Sequence, residues 1–586
     1  MSRGDWIPKP RRRINRLYRS GPSAQRQLSS LTLPIKSRLT QLFVPTAELH
    51  ARLPSIILLV LRIGLLLTVY VVLDRVLVKV TNLPAASYEQ PFILPQLIKH
   101  LLTSKAGLLA SAGLLIFVLA MLVRNRTVNP AWQSIEEGKK LRHIVLLVAF
   151  ILAWAYGTYD YNLFFDQRHD LDRLLLFALI PLTYWRPIFV FPFVLVILTI
   201  LHQFNIPIGG YSWAEQILLV RILILFGAFL LIASLSNFRN VTDFVFLLFC
   251  LIAGHYWVCG LGKLQLDWMA LDRIHYLLPA TYANGWLGFL DPDEISRLTR
   301  TFSWFNEPLK AATLVIECGA LVSLWRMIWL RVFLLACIAL HVGIVVLTGI
   351  FFWKWVVLDA ALAILLMKNK MPATGFFTAN HFVLSVLIIG GSALWFKPTE
   401  LAWLDARISY TYRFEALGTN GRTYTLPPRF FAPYDYQFTL SNFSYLTKEP
   451  HLGIVWGATM RRFIVERLEE KTTPNEVFEF EKNVDHRTYS DRRSAIFDDF
   501  LLRIIDNWNR HGKVEGWWSF IQAPRQLWTF GSGQRIPDSQ RIKKITVYQV
   551  TSLFDGRQYQ EIRTRPVRSV DVELSRGDVT LQSSTD

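Results

Sequence analysis

The sequence predicts an all-α polytopic membrane helix bundle followed by a C-terminal α+β soluble domain. Hydrophobic residues make up 52% of the chain and charged residues only 18%. The hydrophobic residues are collected in runs of roughly 16–25, the length that crosses a bilayer as a helix. Tryptophan and tyrosine often end these runs, as they do at membrane interfaces. After residue 400 the long runs stop, and short alternating segments replace them.

Composition divides the chain into three parts. Residues 1–54 form a basic segment without a cleavable signal, so the first span is expected to act as an uncleaved anchor. Residues 55–398 form the membrane domain, with about 10–11 helices, and residues 399–586 form the soluble domain. The expected spans lie at 55–80, 106–123, 143–157, 171–185, 188–202, 217–235, 242–261, 309–325, 331–349, 352–367 and 381–396.

Lysine and arginine are concentrated in alternate loops, which predicts the orientation. The loops 124–143, 184–187 and 236–240 are basic, whereas the loops between them are acidic, neutral or mixed. Because basic loops stay in the cytoplasm, we expect a cytoplasmic N-terminus and an extracytoplasmic C-terminal domain, with a bacterial inner membrane as the favoured location. The net charge of +19 fits this bias and an attraction to anionic membrane lipids. No nucleic-acid partner is expected, because no nucleic-acid-binding fold signature accompanies the charge.

The last third of the chain predicts strands and helices of a soluble domain. Two β-hairpins are expected around dipeptides that tolerate positive φ, namely 407–431 around Asn420-Gly421 and 543–564 around Asp555-Gly556. Between them, 459–470 and 492–512 have helical periodicity. We expect the aromatic stretch 515–530 to pack against the spans instead of resting on the membrane surface.

Three polar residues at or inside the spans are the candidate catalytic residues. His169 opens a span in RHDLDRLLLF, where a histidine can exchange a proton near neutral pH. Lys263 ends a span in HYWVCGLGKLQLDW, where partial burial would favour a neutral amine able to act as a base. His341 lies inside a span, where polar groups are costly and often mark a site. Structural roles remain open for all three: a helix start, a snorkelling lysine and a hydrogen-bonded core histidine.

Two acids inside apolar segments raise the same question. Glu317 and Asp359 are candidate partners of the intramembrane cations Arg221 and Lys354, which would give these acids a structural role. The four cysteines indicate neither a disulfide framework nor a thiolate metal site, and no metal is expected.

One ordered set of residues resembles a known family. The motif Y-x-x-x-G-x-x-K-L-x-x-D-W, here running from Tyr256 to Trp268, is followed by an intramembrane glutamate and by LHVGIVVLTGIFFWKWVVLDAALAIL. This order is similar to that of the horizontally transferred transmembrane domain family, which includes the vitamin K-dependent gamma-carboxylases. The resemblance covers roughly residues 50–370. It implies a membrane enzyme in which Lys263 deprotonates a reduced quinone, with His169 and His341 near the same site.

The leading hypothesis is therefore a carboxylase-like membrane enzyme that uses a lipid or a lipid-soluble quinone, with Lys263 as base. One alternative is a non-catalytic membrane protein that binds lipid or takes part in assembly through its outer domain. Another is a polyprenyl-phosphate-dependent glycosyltransferase with an acidic catalytic residue in an outer loop, for which Glu89, Asp160, Asp166 and Asp170 are the candidates. The sequence leaves the substrate and the oligomeric state open.

Overall fold

We describe the protein from a computed structural model. The described residues are 46–123, 132–135, 137–208, 214–235, 240–371, 375–514, 516–530, 536–574 and 579–582. Most of the basic segment predicted for residues 1–54 lies outside them, as do residues 124–131 and 236–239 of the predicted basic loops.

The chain is mainly helical over the described residues from 46 to 395. In chain order its helices are α1 (Thr46–Val80), α2 (Leu94–Thr103), α3 (Lys105–Val123), α4 (Gly138–Gly157), α5 (Asp170–Trp185), α6 (Val190–Gln203), α7 (Ala214–Leu235), α8 (Val241–Gln265), α9 (Trp268–Leu271), α10 (Leu277–Ala283), α11 (Pro292–Phe302), α12 (Asn306–Gly319), α13 (Met327–Thr348), α14 (Trp353–Met367), α15 (Ala379–Gly390) and α16 (Ser392–Trp395). Most apolar segments expected to span the membrane lie on one of these helices, but 309–325 continues from α12 into a 3-10 helix at Ala320–Trp325, and 381–396 is divided between α15 and α16.

Among the described residues, six helical stretches are long and apolar enough to cross a membrane, which indicates a multi-pass membrane protein. They lie at 55–80, 138–157, 217–235, 241–265, 292–325 and 327–348. The pair α2 and α3 would make a seventh span, but it bends by 85° at the break between its helices. The remaining expected spans correspond to helices of 12 to 16 residues, such as α15 and α5, which are short for a full crossing.

Two helices form the centre of the helical region. In the most apolar stretches of α7 and α8, 94% and 83% of the residues are buried, against 22% in α1 and 28% in α13. A helix that is apolar on all sides is stable only when protein or lipid surrounds it. We infer that α7 and α8 are surrounded by protein, while α1 and α13 turn much of their apolar surface toward lipid.

The C-terminal region contains strands and helices, as the sequence predicts. Its elements are β1 (Leu404–Asp405), β2 (Ile408–Gly418), β3 (Thr423–Leu426), α17 (Asp435–Leu440), β4 (Ala458–Thr459), α18 (Arg462–Leu468), α19 (Pro474–Val484), α20 (Asp491–His511), β5 (Ile542–Phe554), β6 (Tyr559–Leu574) and β7 (Val579–Gln582). Five strands form an antiparallel sheet in the order β3-β2-β5-β6-β7, and β1 pairs with β4.

Both predicted hairpins are confirmed. Strands β2 and β3 are joined at Asn420-Gly421, and strands β5 and β6 are joined at Asp555-Gly556. Each glycine has the positive φ that its turn requires, +77° at Gly421 and +97° at Gly556. The two predicted helices are also present, as α18 and α20, and α20 ends at Gly512 as expected.

The C-terminal region packs directly onto the helical region. One hydrophobic core contains Tyr88 and Phe164 from interhelical loops together with Phe438 and Phe500 from the C-terminal region. The rings of Phe164 and Phe500 stack with 5.6 Å between their centroids. The part predicted as a separate soluble domain therefore shares its core with the loops of the helical region.

Part of the aromatic stretch 515–530 packs against the helices, while other side chains of the stretch, such as Phe520 at 77% exposure, are exposed. Trp518 is buried, stacks on Phe177 with 5.6 Å between the centroids, and donates from Nε1 to Asp170. Trp154 in turn donates from Nε1 to the carbonyl of Ile521 at 2.7 Å. These contacts agree with the packing interpretation and fasten the C-terminal region to α4 and α5.

Candidate functional site

Lys263 lies in the last turn of α8 and is held by a buried ion pair. Its Nζ donates to both carboxylate oxygens of Glu317, at 2.7 and 2.8 Å, and to the carbonyl of Leu401 at 3.2 Å. Lys263 is 9% exposed. Because the ammonium has three donors and three acceptors, its hydrogen bonds are complete. Lys263 therefore has a carboxylate partner, Glu317, which the sequence-based interpretation of an amine at a membrane boundary did not include.

The glycines of the same motif allow this contact. A Cβ at Gly260 would lie 3.0 Å from Cβ of Glu317 and 3.0 Å from Sγ of Cys318. A Cβ at Gly262 would lie 2.8 Å from Cβ of Ala402. These distances are shorter than normal van der Waals contacts, so the absence of side chains lets α8 approach α12 and the chain that follows α16.

The end of the motif turns the chain away from α8. Asp267 adopts a left-handed conformation with φ 51°, which an aspartate tolerates better than most residues, and α9 starts at Trp268. The Trp268 ring centroid lies 5.6 Å from Nζ of Lys263, within cation–π distance. The carboxylate of Asp267 pairs with Arg462 of α18. The motif therefore ends the helix and fastens it to the C-terminal region.

His341 lies in a second buried polar cluster. Tyr256 on α8 donates from its hydroxyl to Oδ2 of Asp359 on α14 at 3.0 Å, and the same hydroxyl is 3.5 Å from Nδ1 of His341 on α13. Since Tyr256 precedes Lys263 by seven residues, the two clusters lie on the same face of α8, roughly 10 Å apart along its axis.

The prediction that Arg221 or Lys354 pairs with Glu317 and Asp359 is wrong. Glu317 pairs with Lys263 and Asp359 accepts from Tyr256. Arg221 instead lies 3.7 Å from Asp74 and donates to the carbonyl of Lys397. Sequence spacing could not reveal these pairs, because each joins helices that are distant in the chain.

His169 belongs to a third cluster, between the loops of the helical region. Its Nε2 is 3.0 Å from the carbonyl of Tyr88, and its Nδ1 is 3.2 Å from the hydroxyl of Tyr159. A carbonyl can only accept, so Nε2 carries the proton and the Tyr159 hydroxyl donates to Nδ1. Burial lowers the pKa of His169 to about 4. The ring is therefore neutral at neutral pH, which does not fit the proton exchange expected from the sequence.

The three predicted residues thus have different surroundings. Lys263 lies on α8, and His341 approaches Tyr256 on the same face of α8, about two turns earlier. His169 instead contacts Tyr88 and Tyr159 in the loops of the helical region. Of the three predicted residues, only Lys263 and His341 lie around α8 and its neighbours α12, α13 and α14.

A cavity of about 100 Å³ lies between α4, α14 and the C-terminal region. Arg525 crosses its wall and donates to Asp160 at 3.0 Å and to Asp435 at 3.1 Å. Lys354 and Tyr159 also line the cavity, so Tyr159 links it to His169. The sequence did not predict this cavity, because its wall combines five separate parts of the chain, at 155–160, 204, 354, 433–436 and 522–527.

The acids proposed for a glycosyltransferase are all held by the C-terminal region. The pairs are Glu89 with Arg503 at 2.9 Å, Asp160 with Arg525 at 3.0 Å, Asp166 with His511 at 3.3 Å, and Asp170 with Trp518 at 3.0 Å. These contacts give each acid a docking role at the surface of the helical region.

No protein-family model, no curated protein and no solved structure matches this chain. The resemblance to the horizontally transferred transmembrane domain family remains a hypothesis based on the motif from Tyr256 to Trp268. Across the described residues, no group of three or more His, Cys, Asp and Glu side chains could hold a metal ion.

Proposed function

We propose that this multi-pass membrane protein is a carboxylase-like enzyme of the horizontally transferred transmembrane domain class. Its substrate would be a lipid-soluble reduced quinone or a chemically similar lipid. In this proposal the Lys263–Glu317 pair removes a proton from the substrate hydroxyl at the extracytoplasmic end of α8. The observation that carries the proposal is the buried ion pair, with both oxygens of Glu317 within 2.8 Å of one ammonium.

The burial of the Lys263–Glu317 ion pair is energetically unfavourable enough to call for a functional explanation. Moving two charges out of water costs several kcal/mol per ion, and well-packed apolar residues of similar size are often as stable. Ionisable groups in membrane helices accordingly mark functional sites more often than apolar positions do. The pair Lys263 and Glu317 closes a contact between α8 and α12 that leucines could have made at lower cost.

In this proposal Glu317 accepts the proton and Lys263 stabilises the resulting anion. In the charged pair the Lys263 ammonium has no lone pair, so the group able to accept a proton is the carboxylate of Glu317. As the substrate O–H bond breaks, an O–H bond forms on Glu317, and the substrate oxygen becomes an anion. Lys263 then stabilises that anion, because its ammonium can exchange the longest of its three bonds, to Leu401, for one to the substrate.

Lipid-facing side chains next to the pair support access from the bilayer. Leu264 follows Lys263 directly and is 51% exposed, and Val315 lies two residues before Glu317 and is 72% exposed. Apolar side chains so exposed on membrane helices are typical of lipid contact. A lipid-soluble substrate could therefore approach Lys263 without entering water, with the Trp268 ring beside the ammonium.

Mass spectrometry and turnover measurements test this proposal. Protein purified in mild detergent should carry a quinone or a similar redox-active lipid, and in nanodiscs it should consume oxygen when a reduced naphthoquinone is supplied. The Glu317→Gln variant should lose this consumption, while Lys105→Ala, which alters an exposed residue of α3, should retain it. A wild-type protein that neither carries nor consumes a quinone would exclude the enzymatic proposal.

A non-catalytic lipid-binding or assembly protein is the second candidate. It is favoured by the completeness of the Lys263 hydrogen bonds and by the close packing at Gly260 and Gly262. Under this hypothesis the ion pair only joins α8 to α12. Replacing Lys263 and Glu317 together by Met and Gln would then leave ligand content and cellular function unchanged, whereas an enzyme would lose its activity.

A further inference from the structure

A pair of buried carboxyl groups lies close enough to Lys263 for an electrostatic interaction with its ammonium. Asp272 follows α9 and Asp405 belongs to β1, and both are buried, with exposures of 0% and 2%. The backbone N–H of Asp405 donates to Oδ1 of Asp272 at 2.7 Å, which brings the two residues together. Sequence alone could not reveal this contact, since the residues are far apart in the chain and one lies in the C-terminal region.

Each carboxyl group of the pair has an oxygen without a partner. Oδ2 of Asp272 and Oδ1 of Asp405 are buried and have no hydrogen-bond partner among the described residues. The other Asp272 oxygen accepts from the Asp405 backbone, and the Asp405 side chain accepts from the side chain of Trp403. Buried acceptors without donors are costly, so a missing donor is the natural explanation.

The nearby cations already have their own acids. Lys263 is paired with Glu317, and the buried Lys310 donates to Glu307 at 2.8 Å. Lys310 also donates to the carbonyls of Met269 and Asp272, at 2.6 and 3.2 Å, so its three donors are used. Two ionised aspartates would therefore be buried without counter-charges.

We propose that Asp272 and Asp405 share one proton at neutral pH, which joins the end of α9 to β1 of the C-terminal region. One proton supplies the missing donor, removes one uncompensated charge and leaves the second carboxylate able to accept another proton. This arrangement is the usual outcome when two carboxyl groups share a buried site. Burial and the neighbouring carboxylate raise the pKa of Asp405, and burial raises that of Asp272 to about 7.

The shared proton does not depend on the proposed function or on any substrate.

Infrared spectroscopy of the full-length protein in nanodiscs tests the shared proton. At pH 7 the wild-type spectrum minus that of Asp405→Asn or Asp272→Asn should contain the carbonyl stretch of a protonated carboxyl group, because either change removes the partner that forces protonation. Other protonated carboxyl groups cancel in the difference, and if one variant fails to fold, the other still provides the comparison. Difference spectra without this band would overturn the proposal.

Thermal unfolding tests the shared proton in a second way that does not depend on the proposed function. The folded pKa of Asp272, about 7, lies above its ordinary value of 3.8, so the stabilisation from its proton is present at low pH and is lost as pH rises through about 7. Between pH 5 and 8, the melting temperature of the wild type should therefore fall more than that of Asp405→Asn. Both proteins are treated with a chelator. Stabilisation by an added divalent cation would instead assign a cation site and contradict the proton. If the difference band is present but no quinone is consumed, the shared proton holds and the proposed function fails.

Discussion

At the scale of single residues, the clearest feature is that Lys263 has a complete set of partners. Three acceptors surround its ammonium within 3.2 Å, and an aromatic ring lies beside it. A charge that is buried with its partner is tolerated, whereas a charge buried without one is not. The consequences of changing either member of the pair can therefore be measured separately from any activity.

A double-mutant cycle tests the ion pair. Lys263→Met and Glu317→Gln should each lower the free energy of unfolding by roughly 3–5 kcal/mol, because each leaves an unpaired polar or charged group. The double variant should lose less than the sum of the two. Unfolding in mixed micelles measures the three values, and Lys482→Met, in an exposed pair with Glu479, serves as a control with little expected change. Additive losses would contradict a direct interaction between Lys263 and Glu317.

His169 should make the protein sensitive to acid. Its pKa is about 4 in the folded protein and ordinarily 6.5, so its contribution to stability is present above 6.5 and is lost as pH falls toward 4. The loss should amount to roughly 3 kcal/mol at most. His169→Gln keeps a donor for Tyr88 and an acceptor for Tyr159 but does not titrate, so melting temperatures should fall less between pH 6.5 and 4.

The exposed His143 offers the matched control. His143→Gln should retain the acid sensitivity of the wild type. An equal acid sensitivity of His169→Gln and the wild type would contradict the neutral, doubly hydrogen-bonded ring.

At the scale of elements, the contact of α8 with α12 depends on the absence of a side chain at Gly260. Gly260→Ala should push the helices apart, weaken the Lys263–Glu317 pair and lower the melting temperature, since its Cβ would lie 3.0 Å from Glu317 and Cys318. Gly343→Ala on α13 is the control, because its Cβ would meet no atom within 4 Å. That change should be neutral or stabilising by up to about 1 kcal/mol. Equal effects of the two substitutions would show that the close approach is unimportant.

Elements with a local signal could be predicted from the sequence, and those made by distant contacts could not. The turns at Asn420-Gly421 and Asp555-Gly556 are encoded by their own dipeptides, and α20 is encoded by its periodicity and by Gly512. Five of the six full-length apolar stretches follow from composition, whereas composition predicts only the part 309–325 of the stretch 292–325. The shorter helices, such as α5 and α15, were expected as spans because apolar character is visible in a sequence while helix length and burial by neighbours are not.

In the candidate site, too, local sequence features could be predicted, whereas contacts between distant residues could not. The motif around Lys263 and the importance of Glu317 were visible in the sequence, but their pairing was not, since residues 54 positions apart meet only through helix packing. Asp272 and Asp405 carried no signal at all, because their relation depends on a backbone hydrogen bond between two regions.

At the scale of the whole molecule, the C-terminal region and the outer loops should lie on one side of the membrane. A cysteine at Asn420, in the β2–β3 turn, should react with a membrane-impermeant maleimide from outside intact cells, in a background without the native cysteines. A cysteine at Lys368, after α14, should react only after the membrane is opened, because the basic loops are expected in the cytoplasm. Labelling of both positions from the same side would contradict the proposed orientation.

The most direct test of the central claim is the deprotonation step itself, measured without oxygen. A reduced naphthoquinone is mixed under anaerobic conditions with the protein in nanodiscs, and the absorbance of its anion is followed. The wild type should form the anion at least about a hundredfold faster than Lys263→Met and Glu317→Gln, and Lys105→Ala should match the wild type. A wild type that forms no anion, or variants that form it equally fast, would contradict a proton-transferring role for the pair.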